Sequence, residues 1–143
     1  MNTTDNLTDP EALTIVLAED DPGLSALYAT TLGYDGHRVH PATDGARAIE
    51  LVDAVAPDLL ILDLWMPVLN GLEVLEFLRG RGGFRFKVVI LSNHSDADKR
   101  LEGFALGIDD YWTKDLTLMD LRERVRGLSR GIATPALYRQ EEP

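Results

Sequence analysis

Cysteine is absent from this chain of 143 residues. The absence excludes disulfide bonds, thiol catalysis and zinc sites built on thiolates. A chain without cysteine suits a reducing compartment, so we expect a cytoplasmic location. No apolar run approaches the length of a transmembrane helix, and the polar start of the chain lacks the basic and apolar regions of a signal peptide. We therefore expect no contact with a membrane.

Basic residues are scarce as well. The chain has 14 lysines and arginines against 24 aspartates and glutamates, which gives a formal net charge of −10. A domain with this balance lacks the basic face that neutralises phosphates, so direct binding to nucleic acid is not expected. Glycine-rich nucleotide-binding loops are also missing, since neither G-x-G-x-x-G nor a Walker A run follows any predicted strand. Acidity alone is explained by solubility, and it indicates a site only where several carboxylates converge.

Apolar stretches of strand length alternate with amphipathic helical stretches along residues 13–130. The predicted strands are Thr14–Ala18, residues 37–40, Leu59–Leu62, residues 87–91 and residues 111–113. A helix is predicted after each, at about residues 22–33, 45–55, 71–79, 96–106 and 118–128. Five βα units with apolar strands predict an α/β domain, in which a parallel five-stranded sheet carries helices on both faces. We expect residues 1–12 to be a disordered leader and residues 131–143 to be a flexible tail.

The spacing of apolar residues predicts which face of each helix enters the core. The expected inward-facing residues are Leu24, Leu27, Tyr28 and Leu32 in the first helix, Leu72, Leu75 and Leu78 in the third, Leu101, Phe104 and Ala105 in the fourth, and Leu118, Leu121, Val125 and Leu128 in the fifth.

Polar side chains stand where four of the predicted strands end. The first strand is followed by Glu19 and Asp20, the third by Asp63, the fourth by Ser92 and the fifth by Lys114. Because the carboxyl ends of parallel strands form one edge, these side chains are expected to meet there. Clustered carboxylates repel one another, and a hard divalent cation such as Mg²⁺ relieves the repulsion.

This combination predicts phosphoryl transfer to an aspartate. Asp63 is a carboxylate nucleophile that needs no separate general base. The transfer requires little beyond positioning and neutralisation of charge, which Lys114 and the Ser92 hydroxyl are suited to supply. Each residue has an ordinary structural explanation by itself, and Asp21, which stands before Pro22, is interpreted as a helix cap. The ordered set of four strand ends is what favours a site.

Four blocks of the sequence resemble the response-regulator receiver domains of two-component signalling. They are residues 15–22 (IVLAEDDP), 58–75 (DLLILDLWMPVLNGLEVL), 88–92 (VVILS) and 107–114 (GIDDYWTK). The resemblance covers roughly residues 13–128. It implies a flavodoxin-like, doubly wound (βα)5 fold with strand order 2-1-3-4-5.

The resemblance also implies a role for each site residue. Asp63 is the implied phosphoacceptor. The implied Mg²⁺ ligands are Glu19 (partly through water), Asp20, Asp63 and the main-chain carbonyl of Trp65. The implied phosphate-binding residues are Ser92, Asn93 and Lys114, and the implied conformational switch is formed by Ser92 and Tyr111.

The partners implied by the resemblance are proteins. A sensor histidine kinase, a phosphotransfer protein or a small phosphodonor supplies the phosphoryl group. A downstream protein is bound by the face made of the fourth helix, the fifth strand and the fifth helix, and a homodimer is a family expectation. Such a domain catalyses its own phosphorylation and dephosphorylation and is a signalling module rather than a conventional enzyme.

The sequence departs from the family pattern at three places. Asp115 follows Lys114 where a proline, often in a cis bond, is common, so a cis bond is not expected and Asp115 is a competitor for the lysine. Asn93 stands where a small residue is usual and is expected to narrow access to the site. Trp65 and His94 flank the line of attack by water, and we hypothesise that this bulky pair slows hydrolysis of the phosphoaspartate.

Two other functions remain as alternatives. A degenerate receiver keeps the fold and acts as a binding module without phosphorylation, which the unusual Asn93 and Asp115 leave open. A haloacid-dehalogenase-type hydrolase also uses an aspartate after a parallel strand, but its D-x-D pattern requires a second acid where this chain has Trp65. A transcription factor requires a DNA-binding domain in addition to these residues.

Overall fold

The structure is a computed structural model, and it describes residues 12–93 and 96–131. Strands and helices alternate as predicted from the sequence. Their bounds are β1 (Thr14–Ala18), α1 (Pro22–Gly33), β2 (Arg38–Ala42), α2 (Gly45–Val55), β3 (Leu59–Leu62), α3 (Gly71–Gly80), β4 (Lys87–Ser92), α4 (Ala97–Ala105), β5 (Asp110–Thr113) and α5 (Leu118–Ser129). No helix in these ranges is long and apolar enough to cross a membrane. The expected leader and tail fall outside the described residues except for Ala12, which is buried, and Gly131.

The strands form one parallel sheet in the order β2-β1-β3-β4-β5, which confirms the predicted architecture. Val16 lies opposite Leu60, Leu60 opposite Val88, and Ile90 opposite Tyr111. Every residue of β1 and β3 is buried, because helices cover both faces of the sheet. This burial explains why the central strands are continuous apolar runs rather than alternating ones.

Two hydrophobic layers hold the helices to the sheet. On one face, α2 and α3 pack against alternate strand residues such as Val16 and Leu60. On the other face, α1 and α5 pack against the residues in between, among them Ile15 and Ile61. The register therefore brings the carboxyl ends of β1, β3, β4 and β5 to one edge, between two sets of helix N-termini.

Local capping sets where several helices begin. The Asp21 carboxylate accepts hydrogen bonds from the N–H groups of Gly23 and Leu24 at 2.8 and 3.2 Å, which confirms its interpretation as a cap. Asn70 and Glu73 form a reciprocal capping box at α3. The starts of α1 and α3 are thus specified by residues in or next to their own first turns.

The predicted inward face of the fourth helix is wrong. Leu101 is 69% exposed and Phe104 40% exposed, and Ala105 is exposed as well. Gly103 is the residue of α4 that is buried, and a Cβ added there would lie 2.8 Å from the Ile108 Cδ1 atom. The helix therefore approaches the sheet through its glycine, and this orientation turns the larger apolar residues outward.

Two further residues that were predicted to face the core are exposed instead. Leu27 is 45% exposed, because the buried stripe of α1 runs through Ser25, Tyr28 and Leu32. Leu118 is 38% exposed, because it is the first residue of α5 and only the later turns, with Leu121 and Val125, reach the sheet. The assignments of Leu72, Leu75 and Leu78 to the core are confirmed.

Candidate functional site

Three carboxylates meet at the carboxyl edge of the sheet. Glu19 and Asp20 follow β1, and Asp63 follows the neighbouring strand β3. One carboxylate oxygen of each lies within 4.8 Å of the others. Glu19 and Asp63 are buried while Asp20 is exposed, so the cluster has a protected interior and one acid open to solvent.

Lys114 bridges two of these acids. Its Nζ atom lies 2.6 Å from Glu19 Oε1 and 3.1 Å from Asp63 Oδ2, and its side chain is only 8% exposed. The lysine is placed by its backbone, since its N–H donates to the Ser92 carbonyl at the end of β4. Burial lowers the pKa of Lys114, but the hydrogen bond to Glu19 and the charge of Asp63 outweigh it, so the pKa stands above its ordinary value.

The single lysine does not neutralise the cluster. Burial raises the pKa of Glu19 above its ordinary value, and the charge of Asp63 acts in the same direction. Hydrogen bonds from Lys114 and from the Asp21 N–H oppose this shift without cancelling it. Three carboxylates with one lysine between two of them also leave a surplus of acidic groups over basic ones in the cluster.

An open cleft of about 390 Å³ lies over the cluster. Its lining comprises Glu19, Asp20, Asp21, Leu24, Asp63, Trp65, Asn93 and Lys114. Trp65 is half exposed, and its main-chain N–H donates to Asp63 Oδ1 at 3.3 Å. The structure therefore brings six of the residues singled out from the sequence to one cleft, and adds Asp21 and Leu24 from the start of α1.

Ser92 and Tyr111 lie behind this cleft rather than on its surface. Ser92 is the last residue of β4 and is fully buried, opposite Thr113 of β5. Tyr111 is buried on β5 opposite Ile90, and the Arg100 guanidinium lies 5.9 Å from the centre of its ring. His94 lies outside the described residues.

Asp115 does not compete for Lys114 in the structure. The Thr113 hydroxyl donates to the Asp115 carboxylate, whereas Lys114 pairs with Glu19 and Asp63. No cis peptide bond occurs among the described residues, as expected for a chain with aspartate rather than proline after the lysine. The two side chains have different partners, so both sets of contacts are present together.

The donor set fits Mg²⁺. All three acids offer oxygen ligands, which this ion prefers, and the ion keeps several waters that an open cleft can accommodate. The surplus of three carboxylates over one lysine supplies the electrostatic reason for a cation there. No feature of the cluster favours a softer metal, since the described residues contribute neither thiolate nor imidazole to it.

A sequence model described as the response regulator receiver domain matches residues 15–126. The chain belongs to this family. Its five-stranded parallel sheet has the strand order of that fold, and the chain is a receiver domain of the signalling proteins called response regulators.

Curated relatives agree with this assignment. The transcriptional regulatory protein TrcR of Mycobacterium tuberculosis is 37% identical over 122 residues, which are 85% of this chain and 47% of that protein. The response regulator MprA of Mycobacterium leprae is 35% identical over 116 residues, which are 81% of this chain and 50% of that protein. The chain thus spans about half the length of the curated relatives it matches.

Solved structures show the same receiver fold. The Francisella response regulator 1452 receiver domain has a TM-score of 0.76 at 29% identity, covering 83% of this chain and 98% of that one. The BeF3-activated N-terminal receiver domain of RstA from Klebsiella pneumoniae has a TM-score of 0.75 at 30% identity, covering 82% and 98%.

Lys99 lies near the site, and the sequence analysis did not identify it as a candidate. Its Nζ atom lies 5.9 Å from the centre of the Trp65 ring. The two residues are far apart in the chain, and a lysine in the first turn of a polar helix is ordinary by itself. Only the packing of α4 beside the loop that follows β3 brings them together.

Proposed function

We propose that this receiver domain accepts a phosphoryl group on Asp63 and conveys its presence to a protein partner as a change of conformation. The observation that carries the proposal is the position of the Lys114 Nζ atom, 3.1 Å from Asp63 Oδ2 and in contact with Glu19. A buried lysine held between two acids at the mouth of an open cleft is suited to bind the oxygens of an incoming phosphoryl group. An ordinary structural ion pair needs neither the cleft nor the surplus of acids.

The transfer proceeds by displacement at phosphorus. An Asp63 carboxylate oxygen forms a bond to phosphorus while the bond from phosphorus to the donor breaks, and the leaving group retains that electron pair. The donor atom is nitrogen in a phosphohistidine and oxygen in a small acyl phosphate. Lys114 neutralises negative charge on the phosphoryl oxygens, and Ser92 and Asn93 at the end of β4 are the proposed hydrogen-bond donors.

Glu19, Asp20 and Asp63, together with the main-chain carbonyl of Trp65, are the proposed ligands of Mg²⁺. When bound by these residues, the ion would supply neutralisation of the charge on the phosphoryl group. Among the three acids of this set, Asp20 is the one exposed to solvent. The buried Glu19 fixes Lys114 and orients the Asp21 N–H through its other oxygen.

Transmission to the surface is proposed to run through Ser92 and Tyr111. Phosphorylation draws the Ser92 hydroxyl toward the acceptor, and Tyr111 responds on the adjacent strand. Tyr111 contacts Arg100 of α4, which links the strand to the face formed by α4, β5 and α5. That face is the proposed docking surface for a downstream protein and for a homodimer.

The bulky residues beside the line of attack are proposed to lengthen the phosphorylated lifetime. Trp65 lines the cleft and is half exposed, so its indole is positioned to restrict water. The hypothesis for His94 rests on sequence alone. The variants Trp65→Asn and His94→Glu are expected to lose the phosphoryl group faster than the parent, and unchanged rates would contradict the hypothesis.

The proposed partners follow from the family and from charge. A sensor histidine kinase or a phosphotransfer protein supplies the phosphoryl group in the cytoplasm, and a protein receives the signal. The net charge of −10 argues against direct contact of this domain with nucleic acid. The domain acts as a self-modifying switch rather than as an enzyme with a separate product.

Intact-mass spectrometry tests the acceptor. Incubation with acetyl phosphate and Mg²⁺ is expected to add one phosphoryl group to the parent, and neither omission of Mg²⁺ nor the Asp63→Asn variant should allow the gain. Asp44→Asn is a matched control, because Asp44 caps α2 away from the cleft and asparagine caps a helix equally well. Absence of any gain by the parent, when Mg²⁺ binding has been demonstrated separately, would indicate the degenerate binding module instead.

A further inference from the structure

A contact between α4 and the loop after β3 connects the acceptor to the surface of the domain. The Lys99 ammonium lies 5.9 Å from the centre of the Trp65 ring. Cations within about 6 Å of an indole are attracted to the face of the ring. Trp65 is two residues from Asp63 and donates its main-chain N–H to Asp63 Oδ1. Lys99 is therefore connected to the acceptor through a single residue, Trp65.

Burial alone does not fix the position of the Trp65 indole. The residue is 50% exposed at the edge of the cleft, so burial holds it weakly. The Lys99 Nζ atom also lies 3.7 Å from Glu102 Oε1, but this pair is partly exposed and contributes little to the position of the lysine. The lysine presents its positive charge to the ring from the first turn of α4.

We propose that Lys99 is a positioning residue that holds the Trp65 indole at the edge of the cleft and thereby limits access of small phosphodonors and water to Asp63. The inference rests on the proposed function of Asp63 as the acceptor. It assigns control of the site to a residue of α4, so any displacement of α4 by a bound partner also releases the indole. Access to Asp63 and the position of α4 are coupled through this contact.

Rates of phosphoryl gain and loss test the proposal. With acetyl phosphate and Mg²⁺, Lys99→Ala is expected to gain and to lose the phosphoryl group about two- to fivefold faster than the parent, which is the change that an exposed cation–π contact can produce. Lys99→Arg keeps a cation over the ring and is expected to retain the parental rates.

Two variants separate the ring contact from the ion pair. Glu102→Ala removes the salt bridge of Lys99 but leaves its charge, and it is expected to keep rates near those of the parent. Arg47→Ala removes an ion pair of the same spacing, Arg47 with Glu50 at 3.6 Å on α2, far from the cleft. This matched control is expected to leave both rates unchanged.

Fluorescence quenching by acrylamide provides a readout that does not depend on phosphorylation. The chain has two tryptophans, and Trp112 is 3% exposed, so quenching reports mainly on Trp65. Quenching is expected to increase in Lys99→Ala and to return to the parental level in Lys99→Arg. An increase in Glu102→Ala equal to that in Lys99→Ala would assign the effect to the ion pair and overturn the proposal.

The outcomes distinguish this inference from the function on which it rests. A parent that gains no phosphoryl group contradicts the proposed function, whatever the variants do. A parent that gains the group at the same rate as Lys99→Ala contradicts only the role of Lys99. Faster gain and loss in Lys99→Ala, with rescue by Lys99→Arg, supports both.

Discussion

Helices α3 and α4 follow neighbouring strands and lie on the same face of the sheet, yet they are anchored in different ways. Five residues of α3 are buried, namely Gly71, Leu72, Val74, Leu75 and Leu78. The buried residue of α4 is Gly103, and its first turn makes two ring contacts with other parts of the domain: Lys99 with the half-exposed Trp65, and Arg100 with the buried Tyr111. A helix with few buried apolar contacts opens at a lower free energy than one built into the core.

The contrast separates a rigid side of the site from an adjustable one. At Gly71, the first residue of α3, an added Cβ would lie 2.5 Å from the Asp63 carbonyl oxygen, and the Gly71 N–H donates to the Leu64 carbonyl at 2.8 Å. The acceptor is therefore supported by a fixed helix. The neighbouring strand end, with Ser92, leads instead to a helix whose buried residue is a glycine, and we expect this helix to open at a lower free energy.

Truncation of the α3 core is expected to produce the largest effect. Leu75 is fully buried, and Leu75→Ala should lower the free energy of unfolding by about 2–5 kcal/mol, because it leaves a cavity that the surroundings fill only in part. Urea denaturation followed by circular dichroism measures the change. A smaller loss of unfolding free energy than in Leu101→Ala, the matched variant of α4, would contradict the contrast between the two helices.

Added methyl groups at the buried glycines of α3 and α4 sharpen the contrast. Gly71→Ala is expected to cost about 1–3 kcal/mol, since the added Cβ meets backbone that cannot withdraw. At Gly103 the nearest atoms are the ends of the Ile108 and Ile90 side chains, and alanine favours the helix by about 1 kcal/mol, so the net change should be smaller. Thermal unfolding of both variants checks the order, and a larger loss at Gly103 would contradict it.

Helix α5, on the opposite face of the sheet, is attached to the end of another helix by an ion pair. Two nitrogens of Arg122 donate to the Asp35 carboxylate at 3.1 and 2.8 Å and tie α5 to the end of α1. The hydrogen bond from Arg122 holds the pKa of Asp35 below its ordinary value of 3.8. Because the folded pKa is depressed, the stabilisation is present above the ordinary value and is lost as pH falls through the folded one.

The pH dependence of Asp35→Asn tests this anchor. The variant should be less stable than the parent at neutral pH, and the difference should shrink as the pH falls below about 4. Urea midpoints measured from pH 7 to pH 3 provide the comparison. A difference that stays constant over this range would show that the ion pair contributes nothing through its charge.

Truncation on the exposed face of α4 is expected to have the smallest effect. Leu101 is 69% exposed, and Leu101→Ala should change the free energy of unfolding by less than about 0.5 kcal/mol. Hydrogen exchange extends the test to the whole helix: the amides of α4 should exchange faster than those of α3. Equal protection of the two helices would remove the basis for calling α4 adjustable.

Much of the fold was predictable because its signals are local. The apolar runs of β1 and β3, the cap at Asp21 and the glycine at the start of α3 each depend on a few neighbouring residues. The apolar spacing of α3 predicted its core face correctly at Leu72, Leu75 and Leu78. The spacing in α4 failed at Leu101 and Phe104, since a short helix that contacts the sheet through a glycine does not bury its apolar residues.

The sequence by itself determined the strands, their order along the chain and the polar residue that follows each one, because these are properties of short segments and of chain connectivity. The tertiary structure decided which of these residues touch. Lys114 reaches Asp63 across 51 positions of the chain, and Lys99 meets Trp65 from a different helix. Such contacts depend on the register of neighbouring strands and on the rotation of a helix over the sheet, which are set by packing between distant segments.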